Sequence, residues 1–267
     1  MTVAYGSIKP ALNTIYNQIE GFMISRNATT PTTKLTISAG VCRDQSTTFD
    51  INLGDYKGTS ASANANTVLD TAIVGAGGID TGVLAASKLY NVYAIGDIKN
   101  GNLPTVVASL SYPDTGPLMP YGYNTYRRIG FAVTDAGTTF IDMEVAGTSN
   151  LRALYYLEEV TTSVTAGNAT TNSAILLTNK VPSENGNIVD LEIIYTPASA
   201  ANLGYVGIIG TTTYTFKVAG QVSAVPIYGQ PQLAVRLSAS SIPQVWYKVT
   251  NAGDAMAVNV RGFTYTL

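Results

Sequence analysis

The side chains that most often perform chemistry in proteins are scarce in this chain. It has no histidine and a single cysteine, Cys42. Without histidine the chain lacks the commonest general base, the commonest metal ligand and every His-dependent triad. One cysteine excludes an intrachain disulfide framework and a cysteine-cluster metal site. We therefore expect no enzyme activity, with no catalytic residue, no cofactor and no metal site.

Paired carboxylates are the other groups that could do chemistry, since two acidic side chains are the minimum for cleaving a glycosidic bond. Glu158 and Glu159 are adjacent and would face opposite sides of a strand, while Asp50 and Asp55 flank "INLG" beside a polar loop. The Asp50/Asp55 pair lacks the dense alternating acidic pattern of calcium loops. We expect all four carboxylates on solvated faces or in loops.

The glycine-rich stretch "GAGGIDTG" (75–82) resembles a nucleotide-binding loop only superficially. Its spacing matches neither G-x-G-x-x-G nor G-x-x-x-x-G-K-[ST], and no convincing helix follows it. We interpret it as a tight loop between strands.

The low charge content points to a protein that contacts other subunits. Only 12% of the 267 residues are charged, about half the ~25% of an ordinary soluble domain, and 17 are tyrosine. Neutral, tyrosine-rich surfaces are typical of those that other subunits cover. The net charge of -2 gives no basic patch for nucleic acid, so we expect no nucleic-acid binding. No stretch reaches the ~18 apolar residues of a membrane span, so we expect no membrane insertion.

Apolar residues in the first 26 positions recur with spacings of three and four, which predicts one stripe of an amphipathic helix. The stripe consists of Tyr5, Ile8, Leu12, Ile15, Ile19 and Phe22. The helix could pack on its own β-domain, or it could be a docking element or the seam of a trimer. For a trimer, the isoleucines of the stripe favour a coiled coil of three helices over one of two. We assign residues 1–33 to an N-terminal anchor helix and linker.

Short runs of valine, isoleucine, threonine and tyrosine follow, separated by glycine, asparagine, serine and proline, a pattern typical of β-proteins. They predict an all-β fold with two antiparallel β-sandwich or jelly-roll-like domains, residues 34–158 and 159–267. The second domain alternates cleanly, as in "NIVDLEIIY" (187–195). In the last strand the apolar parity changes between Val260 and Phe263, which predicts a β-bulge at Gly262.

Two adjacent arginines lie in the apolar run "MPYGYNTYRRIGF" (119–131). In a strand, Arg127 would share a face with Ile129 and Phe131, and Arg128 would share the other face with Tyr126. An arginine among core residues usually pairs with a carboxylate, because an unpaired buried charge is very costly. We expect Arg127 to be structural and Arg128 to lie nearer solvent or an interface.

The stretch "DTGVLAASKLYNVYAIGD" (80–97) followed by "MPYGYNTYRRIGF" resembles a pattern in virion structural proteins of tailed bacteriophages, over about residues 34–145. The resemblance implies a non-enzymatic, surface-exposed appendage, either a tail fibre or spike or a capsid decoration. It also implies other virion proteins, of the capsid or tail, as partners, assembly in the host cytoplasm and residence in the virion. Separately, the low charge leads us to expect a homo-oligomer, and Ile8, Ile15 and Ile19 favour a homotrimer.

Two other functions stay open at this point. The chain could be a carbohydrate-binding or host-receptor-binding tip module, in which Trp246 and the tyrosines form a platform that stacks on sugars. It could also be a polysaccharide depolymerase, which the absence of a visible parallel β-helix repeat and of an evident acidic pair disfavours.

Overall fold

The computed structural model describes residues 7–10, 18–54, 67–99, 102–111, 115–147, 149–157, 162–184, 186–208 and 215–267. These residues form 22 β-strands and no helix, which confirms the all-β prediction. In this part of the chain, therefore, nothing helical is long and apolar enough to cross a membrane. The chain divides into two compact units, unit 1 with residues 1–154 and 266–267, and unit 2 with residues 155–265.

Unit 1 is built from short antiparallel strands. They are β1 (Ser7–Pro10), β2 (Ile19–Gly21), β3 (Ile24–Arg26), β4 (Lys34–Ile37), β5 (Gly40–Arg43), β6 (Phe49–Leu53), β7 (Thr67–Asp70), β8 (Leu89–Gly96), β9 (Thr105–Ser109), β10 (Thr125–Val133) and β11 (Met143–Ala146), and β12 (Leu151–Tyr156) crosses the boundary to unit 2. Three sheets have the orders β1-β6-β5-β2, β10-β8-β9 and β3-β4-β7. In β8 every residue after Leu89 is buried, because the strand is central in its sheet and covered on both faces.

The predicted N-terminal helix is wrong wherever the structure describes it, since β1, β2 and β3 are extended; residues 1–6 and 11–17 lie outside the described part. Strands β2 and β3 pair with β5 and β4, respectively. At the end of β2, Gly21 and the following Phe22 have φ angles of 78° and 56°, which a helix does not contain. Ile19 and Phe22 are both buried, so their spacing of three reflects this corner rather than a helical turn.

Arg152 stabilises this corner from another strand of unit 1. Arg152 is 1% exposed, and its guanidinium donates hydrogen bonds to the carbonyl oxygens of Gly21, at 2.7 Å, and Phe22, at 3.1 Å. The carbonyls at a sharp corner have no ladder partner, so a buried donor is needed to satisfy them. Nothing in the first 26 residues indicates this distant arginine, so the helical spacing was misleading.

Unit 2 contains strands of two to twelve residues. They are β13 (Thr162–Gly167), β14 (Ser173–Leu176), β15 (Ile188–Thr196), β16 (Leu203–Ile208), β17 (Phe216–Ala219), β18 (Ile227–Gly229), β19 (Gln232–Ala234), β20 (Arg236–Leu237), β21 (Pro243–Val249) and β22 (Ala255–Thr266). One sheet has β15 between β22 and β18, with β13 on β22 and β19 on β15, and the other has the order β14-β21-β16-β17 with β20 on β21. All pairs with a described register are antiparallel.

The predicted bulge in the last strand is present. Asp190 of β15 pairs with Gly262 and Leu191 pairs with Val260, so Arg261 is the extra residue of β22. The bulge lets Val258 and Val260 on one side of it, and Phe263 and Tyr265 on the other, all be buried. A change of apolar parity beside a glycine was thus a usable signal for a local irregularity.

Candidate functional site

Cys42 is the only thiol of the chain, and it is buried in unit 1. Burial raises the pKa of this thiol far above its ordinary value, which suppresses the nucleophilic thiolate. Within the described ranges, no three cysteine, aspartate or glutamate side chains stand close enough together to hold a metal ion.

The carboxylates singled out in the sequence do not assemble into a described site. Asp50 accepts a hydrogen bond from Nε of Arg43 at 2.7 Å, an ion pair across the β5–β6 ladder. Asp55, Glu158 and Glu159 lie outside the described residues.

The glycine-rich stretch forms the connection between β7 and β8, as its interpretation as a loop predicted. Its amides are bound within unit 1, since the amide of Gly75 donates to the carbonyl of Ile79 at 2.7 Å and that of Gly77 to the carbonyl of Val106 at 2.8 Å. A Cβ at Gly78 would lie 2.0 Å from the carbonyl oxygen of Ile73, so only glycine fits this turn.

The arginine pair lies in β10, and the expected assignment of faces is half right. Arg127 and Ile129 are buried as predicted. A register shift between Arg128 and Gly130 makes Ile129 an extra residue, which moves Phe131 to the face of Arg128. The Arg128 guanidinium accordingly lies 4.8 Å from the centre of the Phe131 ring, in cation–π geometry.

Arg128 also donates a hydrogen bond at 3.3 Å to the carbonyl oxygen of Thr266, a residue of unit 1. Burial lowers the pKa of Arg127, and the charge of Arg128 lowers it further, whereas Cys42 and Asp44 act in the opposite direction. Arg128 thus contacts groups of its own unit, and Arg127 is buried within the same unit.

Loops of unit 1 expose several large apolar side chains, which we call the loop surface. Its members are Ile73 (46% exposed), Val74 (64%), Leu103 (48%), Leu118 (62%) and Tyr121 (104%). The loops that carry them lie next to one another. A Cβ at Gly75 would lie 3.8 Å from Cβ of Pro120, and the Tyr123 hydroxyl donates to the carbonyl of Leu103 at 3.0 Å.

Buried aspartates hold the loop surface in place. Asp80, 6% exposed, accepts a hydrogen bond from the amide of Leu118 at 3.0 Å. Asp97, 4% exposed, accepts hydrogen bonds from the amide and the side chain of Asn102, at 3.0 and 2.8 Å, and from the side chain of Asn124 at 3.3 Å. Charge-assisted hydrogen bonds of this kind fix a loop conformation. The exposed apolar residues are therefore presented by anchored loops.

Apolar packing against a buried cluster also supports the loops that carry the loop surface. Ala76, Met119, Tyr123 and Tyr126 pack against a buried cluster of Tyr93, Ile95 and Val107. The rings of Tyr93 and Tyr126 meet edge to face with their centres 5.8 Å apart.

A second candidate site is a cavity of about 620 Å³ in unit 2, which we call the sheet cavity. Its lining includes Tyr155, Asp190, Gln230, Pro231, Gln232 and Arg261. Asp190 pairs with Gln232 across the β15–β19 ladder, so the two side chains project from the same face of the sheet. That face points away from the core, because Val189 and Leu191 on either side of Asp190 are buried.

Arg261 is held at the cavity by an ion pair. Its Nη2 donates to Oε1 of Glu192 at 2.6 Å, and Nδ2 of Asn259 donates to Oε2 of the same carboxylate at 3.0 Å. The hydrogen bond from Arg261, followed by that from Asn259, lowers the pKa of Glu192. The carboxylate therefore stays ionised and fixes the guanidinium.

Trp246 does not form the sugar-stacking platform that the sequence left open as an alternative. It is 1% exposed, and its indole donates to the carbonyl of Ile208 at 2.8 Å. Gly207 makes room for the ring, since a Cβ there would lie 2.6 Å from Cζ2 of Trp246. In β21 Trp246 shares its parity with Gln244 and Lys248, so alternation gave no sign that its ring is buried.

Sequence reasoning missed both candidate sites, although some signals were available. The outward parity of Asp190 and Glu192 in β15 and the bulge beside Arg261 could have pointed to the sheet cavity. The neighbourhood of the loop surface depends on tertiary contacts between distant loops, for which the sequence has no local signal.

Comparisons with known proteins assign no family to the chain. No protein-family model matches it, and no curated protein sequence matches it either.

Proposed function

We propose that the chain is a non-enzymatic structural protein of a bacteriophage particle, either a tail fibre or spike or a capsid decoration, that works as a homotrimer. The observation that carries this proposal is the loop surface. A fully exposed Tyr121 beside exposed Leu118 and Val74 is unusual for a free soluble surface, while tyrosine is enriched where proteins meet.

The occupant that we propose for the loop surface is a second copy of this chain. A net charge of -2 over 267 residues creates little repulsion between copies. The anchoring of Leu118 by Asp80 lowers the ordering cost of association, because the loop is fixed before the partner arrives. Attachment to the particle through the N-terminal region and a sandwich or jelly-roll arrangement of the sheets belong to the same proposal.

The proposed lack of enzyme activity is supported by the burial or pairing of the side chains that could react. The thiol of Cys42 is buried, and Asp50 is paired with Arg43. A nucleophile or general base has to reach a substrate in a reactive protonation state.

Immunoelectron microscopy of phage preparations tests the assignment to a virion. Antibodies against the purified chain should decorate intact particles at a fixed position, the capsid or the tail tip. Labelling confined to the soluble fraction of lysed host cells, with clean particles, would contradict the proposal.

A further inference from the structure

We propose that the sheet cavity of unit 2 is a binding site for a neutral sugar residue of a glycan. The inference does not depend on the virion assignment or on the loop surface, since it rests on other residues. The sheet cavity has a volume of about 620 Å³, which lies within the range of small-ligand pockets, roughly 300–1,000 Å³.

The lining has the mixture of groups that a pyranose ring needs. Sugar hydroxyls both donate and accept hydrogen bonds, and the ring also has an apolar face of C–H groups. Gln230 and Gln232 supply amides that do both, Asp190 accepts, and Arg261 donates. Tyr155 is 40% exposed and supplies an aromatic side chain for the C–H face.

Asp190 has unused hydrogen-bonding capacity in this lining. Its Oδ2 atom is buried, and it has no hydrogen-bond partner among the described residues. A carboxylate oxygen without a donor costs free energy, which an incoming hydroxyl could recover after a small rotation of the side chain. Glu192, two residues along the same face, already has Arg261 and Asn259 as donors, so Asp190 is the carboxylate left for a ligand.

The charges around the cavity select against acidic sugars. Two carboxylates, Asp190 and Glu192, stand against one guanidinium, Arg261, which leaves one negative charge. The ion pair of Arg261 with Glu192 also neutralises the cation that would bind a sugar carboxylate. Placing like charges together disfavours the wrong ligand, so a neutral hexose or N-acetylhexosamine fits best.

Saturation-transfer NMR and calorimetry on the full chain test this site. The probes are methyl glycosides of glucose, galactose, mannose and N-acetylglucosamine, with a sialylated trisaccharide as the anionic probe. We expect at least one neutral glycoside to bind with a Kd on the order of 1 mM or below, and the anionic probe to bind more weakly.

Three variants localise the binding. Tyr155→Ala, Gln232→Ala and Asp190→Asn should each weaken the affinity about tenfold. Tyr228→Ala is the matched control, because Tyr228 is an exposed tyrosine (67%) on β18 of the same sheet and does not line the cavity. If Asp190→Asn fails to fold, the two exposed residues Tyr155 and Gln232 decide the result.

Four results would overturn the proposal. They are the absence of saturable binding by every neutral probe, preference for the sialylated probe, unchanged affinity in Tyr155→Ala and Gln232→Ala, and equal loss in Tyr228→Ala. The oligomeric state is measured separately, so failure here does not touch the assembly role.

Discussion

The two units use buried charge differently. Among the residues that the structure describes, six charged side chains are buried in unit 1 and one in unit 2. Those of unit 1 are Arg43, Asp44, Asp80, Asp97, Arg127 and Arg152, and that of unit 2 is Asp254. Unit 1 has long connections, such as those between β7 and β8 and between β9 and β10, so many backbone groups need partners outside the ladders. In unit 2 the regular ladders supply most of those partners, and its interior is correspondingly apolar.

Two aspartates show the difference at the scale of a single turn. Asp44 follows β5 and accepts bonds from Thr48 and Phe49 of its own turn, and from the hydroxyl of Thr125. Asp254 precedes β22 and binds the amide of Ala198 and the side chains of Tyr195 and Asn202, far away in sequence. Asp254 thus connects two loops of unit 2, whereas most of the bonds to Asp44 are local.

The largest effect is expected in the apolar core of unit 2. Trp246→Ala should lower the free energy of unfolding by about 4 kcal/mol, because it leaves a large cavity and removes the donor to Ile208. Urea unfolding followed by circular dichroism measures the change, and Trp246→Phe should cost clearly less. A loss of under about 1 kcal/mol for the alanine variant would mean that this core is not the main support of unit 2.

In unit 1 the critical interaction is polar. Arg152→Met keeps the length of the side chain but removes the donors to Gly21 and Phe22, so we expect a loss of about 3 kcal/mol in the free energy of unfolding. Arg236→Met, an exposed arginine, is the control and should change little. If both variants unfold alike, the corner does not depend on its arginine.

The adjacent arginines of β10 should also differ in their contribution to stability, with the more buried Arg127 contributing more. Arg127 is 5% exposed and Arg128 is half-buried, so Arg127→Ala should cost about 2 kcal/mol and Arg128→Ala less than about 1 kcal/mol. Paired melting curves by circular dichroism compare them. The reverse order would show that the contacts of Arg128 with Phe131 and Thr266 matter more than burial of Arg127.

The smallest effect concerns acid stability of unit 2. Burial raises the pKa of Asp254, but hydrogen bonds from Ala198, Asn202, Tyr195 and Asn251 outweigh it, so the pKa is lowered. A lowered folded-state pKa gives stability that is present above the unfolded value of about 3.9 and is lost as pH falls through the folded value.

Asp254→Asn should therefore cost about 1–2 kcal/mol at neutral pH and less below pH 4. Fluorescence of Trp246, the only tryptophan of the chain, reports unit 2 directly. Asp44→Asn is the comparison in unit 1, where burial raises the pKa of Asp44 but similar hydrogen bonds outweigh it, so the pKa is lowered. A cost for Asp254→Asn that stays constant between pH 7 and 3 would exclude the linkage.

The difference between the regular ladders of unit 2 and the polar contacts of unit 1 also explains how far the sequence predicts the structure. Alternation located β15, whose buried residues all fall on one parity, and the change of parity in the last strand located the bulge beside Gly262. Strand β16 lacks such a clear signal because Gly204 and Gly207 weaken the pattern, and the structure uses them as space for Met256 and Trp246. Their reason is tertiary, so no local propensity could reveal it.

Unit 1 was harder to predict at its N-terminal end and in its loops. The corner at Gly21 depends on Arg152, 131 residues away, and the loop surface depends on Asp80 binding Leu118. Polar contacts between distant residues have no periodicity in sequence. Hence the β-class of the chain could be predicted, while the helix at residues 1–26 and the sugar platform at Trp246 could not be tested by pattern alone.

Light scattering on the purified chain tests the central claim, that the loop surface joins copies of this protein. We expect a mass of three chains of 28.0 kDa each at micromolar concentration, and a single-chain mass for the double variant Leu118→Ser, Tyr121→Ser with unchanged circular dichroism. The double variant Leu151→Ser, Tyr228→Ser, exposed apolar residues outside the loop surface, should keep the larger mass. A single-chain mass for the unmodified protein, or an unchanged mass for Leu118→Ser, Tyr121→Ser, would contradict the account.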